Sequence, residues 1–119
     1  MAVSRNERGF SLLLEWEGTT GQDGQVFGFT TVRIVGPSME PAVRNGQRWL
    51  CSTGRIRPGQ VIVFTEPDRT GMLAVKRVIR RESGGWWVEG DNEQMSRDSR
   101  AFGPVADHLV IGILRLRLR

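Results

Sequence analysis

Short runs of apolar and β-branched residues, separated by turn residues, make up most of the chain after residue 26. Within several runs the apolar and polar positions alternate, which is the period of a strand with one buried face. Glycine follows asparagine, proline or another glycine at 45–46, 58–59 and 84–85, and such pairs are typical of turns. The pattern therefore predicts strands at 27–35, 48–52, 60–65, 72–80, 86–89 and within 109–118.

This spacing of strands and turns predicts a mostly β fold, a small barrel or sandwich of antiparallel sheets with at most short helices. Residues 10–16 fit a short helix or a strand equally well, and 19–25 have the composition of a loop. The 119 residues suffice for one domain. We interpret 1–119 as a single domain, with 1–26 as a poorly determined N-terminal segment and 27–118 as the β domain.

Charge and hydropathy bear on where the protein works. The net charge of +4 allows an anionic partner, but the basic residues are scattered except at 113–119, where they alternate with apolar residues. That alternation predicts a strand with one solvated face, and a basic edge that touches an anionic membrane is the alternative. The apolar run at 10–14 is far too short to span a bilayer. We therefore expect a cytoplasmic protein without a membrane anchor and with weak peripheral lipid contact at most.

The chain has one cysteine and one histidine, which excludes an internal disulfide and the usual zinc sites. We expect no metal and no cofactor. Cys51 stands in an apolar stretch, so a small buried residue is a better interpretation than a nucleophile. His108 has Asp107 beside it, but side chains adjacent in sequence point apart, and we interpret His108 as a surface or capping residue.

Ser38 lies between Pro37 and Pro41, just after a predicted strand. Each proline fixes its own φ and restricts the residue before it, which makes the turn stiff. A rigid serine at the end of a strand is what a nucleophile requires. Serine and proline are nevertheless common in turns, so this observation alone is weak.

Lys76 shares one face of its predicted strand with Met72, Ala74 and Val78. Burial in such an apolar row would disfavour the ammonium and lower the pKa of the amine, which could then act as a general base. The alternative is a lysine at a sheet edge, with its stem on apolar surface and its charge in water. A polar loop at 90–100 follows, in which a hydroxyl could orient the lysine and Asp98 could pair with Arg100.

Three segments, 38–41, 76–77 and 90–100, resemble in this order the catalytic boxes of the bacterial type I signal peptidase family. The resemblance spans roughly 32–113 and implies a serine endopeptidase with a Ser-Lys dyad on a β-rich fold. It implies that Ser38 is the nucleophile, with its backbone N–H in the oxyanion hole, and that Lys76 is the general base. The supporting residues that it implies are Ser96, which would bond the lysine, the Asp98–Arg100 pair, Arg77 and Met39.

Some members carry a second oxyanion donor two residues before the nucleophile, where this chain has Gly36, so that donor is unassigned. A short hairpin at 80–85 replaces a large insertion of the family. This feature and the expected lack of an anchor resemble the branch of nickel-type superoxide dismutase maturation proteases. The implied function is removal of an extended leader or propeptide from a protein precursor, with nickel superoxide dismutase as one candidate.

Two other classes remain as alternatives. A LexA-like self-cleaving regulator shares the Ser-Lys chemistry, but it usually carries an Ala-Gly or Cys-Gly bond upstream of the serine, and 1–36 contains neither. A non-enzymatic basic barrel could bind nucleic acid by stacking Trp49, Trp86 and Trp87 on bases. Packing in the core and at its rim is the simpler interpretation of these tryptophans, and we expect no nucleic-acid partner. The oligomeric state stays open.

Overall fold

The computed structural model describes the backbone of residues 2–5, 11–20 and 26–119, and the side chains from residue 29 onward. These residues form nine strands, one short helix and two 3-10 turns. The strands are β1 (Ala2–Arg5), β2 (Ser11–Thr20), β3 (Val26–Ile34), β4 (Arg48–Ser52), β5 (Val61–Thr65), β6 (Leu73–Glu82), β7 (Gly85–Glu89), β8 (Val105–Ala106) and β9 (Val110–Leu118). Helix α1 is Ser99–Phe102, and the 3-10 turns are Glu93–Met95 and Asp107–Leu109.

All described strands belong to one antiparallel sheet in the order β1-β2-β3-β4-β9-β5-β6-β7-β8. Neighbours in sequence pair directly, except that the last long strand inserts between β4 and β5. Strands β1 and β2 also approach β6, so the sheet coils back on itself. The prediction of a mostly β, antiparallel fold is confirmed.

Two apolar clusters cover the two faces of the central strands. Val63 and Val75 belong to the first cluster, with Met39 and Cys51, whereas Ile62, Phe64 and the buried residues of β8 and β9 belong to the second. Because side chains alternate along a strand, Ala74 and Val78 of β6 face the second cluster and Val75 faces the first. The predicted row that contains Lys76 therefore exists.

The predicted strands are present with small shifts at their ends, and the ambiguous segment 10–16 lies mostly within β2. The sequence pattern missed β1 and β8. Strand β8 has two residues, too few to show any period, yet it pairs with β7 and its Val105 is fully buried. The terminal strand is also confirmed, but its buried face is shorter than predicted, since Leu116 is 59% exposed. The division of the chain at residue 26 stays a prediction.

Candidate active site

The turn that carries Ser38 leaves β3 through Gly36, whose φ of 105° is strained for any residue with a side chain. The Gly36 N–H donates to Asn45 Oδ1 at 2.9 Å, and the Glu40 N–H donates to the Pro37 carbonyl at 3.1 Å. Met39 is 1% exposed, so it anchors the turn in the core, whereas Ser38 is only partly buried. The turn is thus fixed on both sides of a serine that solvent reaches.

Residues 90–92, which follow β7, dock directly onto this turn. The Asn92 N–H donates to the Ser38 carbonyl at 3.0 Å, and Asn92 Nδ2 donates to the Pro37 carbonyl at 3.0 Å. The Asp91 N–H donates to Met39 Sδ at 3.4 Å. These bonds join two of the three sequence boxes across a long stretch of chain, since Met39 and Asp91 are 52 positions apart. Asn92 lies in the third box, and nothing in the sequence indicated this role for it.

Lys76 is 5% exposed in the interior strand β6. Strand β5 pairs with β6 along 73–77, where Ile62 lies opposite Lys76, and β7 pairs on the other side from Arg77 onward. Both neighbours of Lys76 on its own face, Ala74 and Val78, are buried. The alternative of an edge lysine with its charge in water is therefore wrong. The chain contains no other lysine.

Asp98 is the polar centre of the third box. It is 1% exposed and accepts hydrogen bonds from Ser96 Oγ at 3.0 Å, from the Gly90 N–H at 2.9 Å and from the Arg100 N–H at 3.2 Å. Arg100 adds a two-pronged ion pair, with Nε at 2.9 Å and Nη2 at 2.6 Å. The predicted Asp98–Arg100 pair is thus present, and its part in catalysis stays a prediction.

These bonds decide the ionisation of Asp98. Burial opposes the carboxylate, but the hydrogen bonds from Arg100, Gly90 and Ser96 outweigh burial, and the pKa of Asp98 is lowered. The same contact raises the pKa of Arg100. The hydroxyl of Ser96 donates to a carboxylate that stays ionised, so its lone pairs are directed elsewhere. Its predicted bond to the lysine remains a prediction.

Two further contacts brace the third box against the sheet. Arg77 donates to both carboxylate oxygens of Asp91, at 2.9 and 2.8 Å, and to the Gly59 carbonyl at 2.7 Å. The buried Ser99 accepts a hydrogen bond from the Val88 N–H at 2.8 Å through its Oγ. The family resemblance implied a supporting role for Arg77, but nothing in the sequence indicated that Asp91 is its partner or that Ser99 bonds the backbone of β7.

Gly90 lies where the serine turn and the Ser96 segment meet most closely. A Cβ atom at this position would lie 2.1 Å from Ser96 Oγ and 2.8 Å from the Ser38 carbonyl oxygen. We expect Gly90→Ala to separate the two segments and to lower, at least tenfold, the peptidase activity that the resemblance implies, since small displacements of reacting groups are costly. The measurement is kcat/KM, with Gly84→Ala as control. Gly84 lies in the turn between β6 and β7, with open space around its Cβ position and a φ of 77°, so the control reports backbone strain alone. Equal rates for the two variants would contradict this account of Gly90.

The structure also places the single cysteine and the single histidine of the chain. Cys51 is 1% exposed in β4, and burial raises the pKa of its thiol to about 11, which confirms a small buried residue. His108 is exposed in the second 3-10 turn, and Asp107 bonds Arg81 and Trp86. A cavity of about 560 Å³ lies beside Arg81, Trp86 and β9, and no candidate site residue lines it.

Comparison with known proteins finds similarity to one family of peptidases. The family described as signal peptidase, peptidase S26, matches residues 24–81. Mitochondrial inner membrane protease subunit 1 of Xenopus tropicalis is 35% identical over 108 residues, covering 70% of this chain and 65% of the relative. Subunit 2 of Danio rerio is 29% identical over 107 residues, covering 67% and 58%, and human subunit 1 is 29% identical over 106 residues, covering 68% and 64%. The family match and the similarity to these subunits support a member of the signal peptidase family, and the chain spans between 58% and 65% of the length of these relatives.

The expected cytoplasmic location is wrong. The relatives carry names that place them at the mitochondrial inner membrane, and this finding points to membrane association instead. The short apolar run at 10–14, on which that expectation rested, is a local feature that does not report where a protein works. In the part of the chain that the structure describes, no helix has the length and apolar character needed to cross a bilayer.

Proposed function

We propose that this protein is a serine endopeptidase that uses a Ser38–Lys76 dyad to remove a leader or propeptide from a protein precursor. The observation that supports it most is the burial of Lys76, the one lysine of the chain, in an interior strand. A long cationic side chain is rarely buried to this extent without a specific use. The partly exposed Ser38, held in a turn that the third box fixes, supplies a matching nucleophile.

The mechanism assigns one task to each group. The neutral amine of Lys76 takes the proton from Ser38 Oγ, which attacks the scissile carbonyl and forms an acyl-enzyme. The resulting ammonium gives this proton to the leaving amine, and water then hydrolyses the acyl-enzyme with Lys76 again as base. The Ser38 N–H stabilises the oxyanion. Ser96 orients the amine, while Asp98, Arg100, Arg77 and Met39 keep the segments in place.

The names of the relatives and the sequence resemblance support the proposed substrate class. The relatives are named proteases, which fits a protein substrate. The resemblance to maturation proteases of nickel superoxide dismutase makes the precursor of that enzyme the first substrate to test. We expect small residues next to the cleaved bond, as the family prefers.

A nucleic-acid-binding barrel is less favoured, because its stacking residues already have partners within the protein. The guanidinium carbon of Arg80 lies 4.8 Å from the Trp87 ring centroid, and that of Arg81 lies 4.6 Å from the Trp86 ring centroid. The indole N–H of Trp86 donates to Asp107 at 2.7 Å, and that of Trp87 donates to Glu89 at 2.8 Å. Stacking on bases would require these contacts to break.

Cleavage is expected to increase with pH through the neutral and alkaline range, because only the unprotonated lysine can accept the proton of Ser38. The measurement is kcat/KM from pH 5 to 10 on a short peptide that spans the cleavage site. A profile that is flat over this range would count against lysine as the base.

The direct test of the function is cleavage followed by intact-protein mass spectrometry. The purified full chain is incubated, in detergent micelles, with a nickel superoxide dismutase precursor and with a secretory preprotein. We expect release of a leader from one of them by the wild-type protein and none by Lys76→Ala. Equal cleavage by the wild type and by Lys76→Ala, or cleavage by neither of them, would overturn the proposal. The precursor that the wild type cleaves identifies the substrate class.

A further inference from the structure

Glu66 is a third buried charged group, besides Lys76 and Asp98, and it takes no part in the mechanism above. Glu66 follows β5 directly and is 3% exposed. Its N–H donates to the Met72 carbonyl at 2.8 Å, which closes the turn between β5 and β6. A carboxylate buried this deeply requires ionic or hydrogen-bonding partners.

Glu66 pairs with Arg69 at 3.9 Å and, more closely, with Arg97 from the loop that carries Ser96. Arg97 Nη1 donates to Glu66 Oε2 at 3.0 Å and to Asp68 Oδ1 at 3.1 Å, and Arg97 Nη2 pairs with Asp68 Oδ2. The guanidinium carbon of Arg97 also lies 5.4 Å from the Phe102 ring centroid. Arg97 is the residue next to Ser96, and its side chain therefore ties the third box to the turn that precedes β6, the strand of Lys76.

Ser96 is consequently held from two sides. Asp98 accepts its hydroxyl hydrogen from within the third box, and Arg97 fixes the following peptide to the β5–β6 turn. An ion pair that served the fold alone could lie anywhere on these loops. This pair involves the immediate neighbour of Ser96, and its carboxylate is almost completely buried.

The charges of this cluster also reach Lys76. Among the residues that the structure describes, Arg97, Arg69, Asp68 and Lys76 interact electrostatically with Glu66. Burial raises the pKa of Glu66, while the three cations lower it and Asp68 raises it. A carboxylate in this position stabilises a nearby ammonium, whereas the guanidinium of Arg97 destabilises it. The two members of the pair thus act on Lys76 in opposite directions.

We propose that Glu66 and Arg97 are positioning residues of the Ser-Lys centre, which fix the Ser96 segment beside Lys76 and balance the charge around the amine. The inference rests on the proposed function. Glu66 lies outside the three sequence boxes. Arg97 lies within the third box, but the resemblance assigns it no role.

The test uses the fact that the full chain contains one lysine. Protein labelled with lysine carrying ¹³C at the ε carbon gives a single lysine resonance, whose titration reports Lys76 directly and needs no substrate. We expect the titration midpoint to fall in Glu66→Gln and to rise in Arg97→Met. The control is Arg81→Met, which removes an arginine of comparable pairing at the Asp107 contact, away from the site. Its midpoint should match that of the wild type.

Kinetics supply the second readout. Arg97→Met should lower kcat by about tenfold with little change in KM, as loss of one or two orienting contacts implies, and Arg97→Lys should restore part of it. If Glu66→Gln does not fold, Asp68→Asn takes its place, since Asp68 is partly exposed and shares Arg97. Asp68→Asn should lower kcat, as Arg97→Met does, but by a smaller factor.

The outcomes separate this inference from the proposed function. A wild-type midpoint and wild-type kcat in folded Arg97→Met, measured together with an inactive Ser38→Ala, would overturn the inference and leave the dyad intact. Cleavage by Ser38→Ala at the wild-type rate would overturn the dyad, and the lysine titration would still decide whether Glu66 and Arg97 balance the charge at Lys76.

Discussion

Ser38→Ala and Lys76→Ala are each expected to abolish cleavage, and the double variant should be no worse than either single variant. The serine and the lysine act as one unit, because the hydroxyl is a poor nucleophile until the amine takes its proton. Losses from the members of such a unit are not additive. The measurement is the single-turnover rate on the precursor that the wild-type protein cleaves.

Folding controls make this prediction decisive. Lys76→Met keeps the length and apolar stem of the side chain in a buried row, so it should be inactive yet at least as stable as the wild type, since replacing a buried charge by an apolar group is often neutral or stabilising. Ser52→Ala changes a serine of β4 that bonds Arg115 and lies in no sequence box, and it should cleave normally. Wild-type turnover by Ser38→Ala or by Lys76→Met would reject the dyad.

Asp98→Ala should cause the largest loss of stability of any change in the third box, about 3–5 kcal/mol in the free energy of unfolding, with loss of activity. The substitution leaves the Gly90 N–H, the Ser96 hydroxyl and the Arg100 guanidinium without their acceptor in a buried place. Arg100 recovers some of the loss because it is partly exposed to water. Urea unfolding of wild type and variant at pH 7 measures the difference.

The pH dependence of stability gives an independent check of Asp98. Its pKa is lowered in the folded state, so its contribution is fully present above the unfolded value of ~3.9 and is lost as the pH falls through the folded pKa. The wild type should therefore lose stability below about pH 4 more steeply than Asp98→Ala. The matched control is Asp107→Ala, which breaks the exposed ion pair with Arg81. This control should lower the free energy of unfolding at pH 7 much less than Asp98→Ala does. Similar losses for the two variants at pH 7 would contradict the central role of Asp98.

Local features of the sequence determined most of the strands and the face on which Lys76 lies. A strand of five or more residues shows its two-residue period, and glycine turns bound it, so β3 to β7 and β9 were predictable. The apolar character of the face that carries Lys76 follows from the same alternation, since its neighbours on that face are apolar. The residues of the candidate site came from the resemblance of three boxes, because no local property of Ser38 distinguishes it from other serines in turns.

Only the tertiary structure decided which of these segments meet. The insertion of β9 between β4 and β5, the docking of Asn92 on the Ser38 turn and the pairing of Glu66 with Arg97 join residues far apart in sequence. Such contacts depend on the register and order of the strands, which the hydropathy pattern of a single strand does not contain. For the same reason the pattern could place Lys76 on an apolar face but could not distinguish an interior strand from an edge strand, a difference that decides whether the amine is buried.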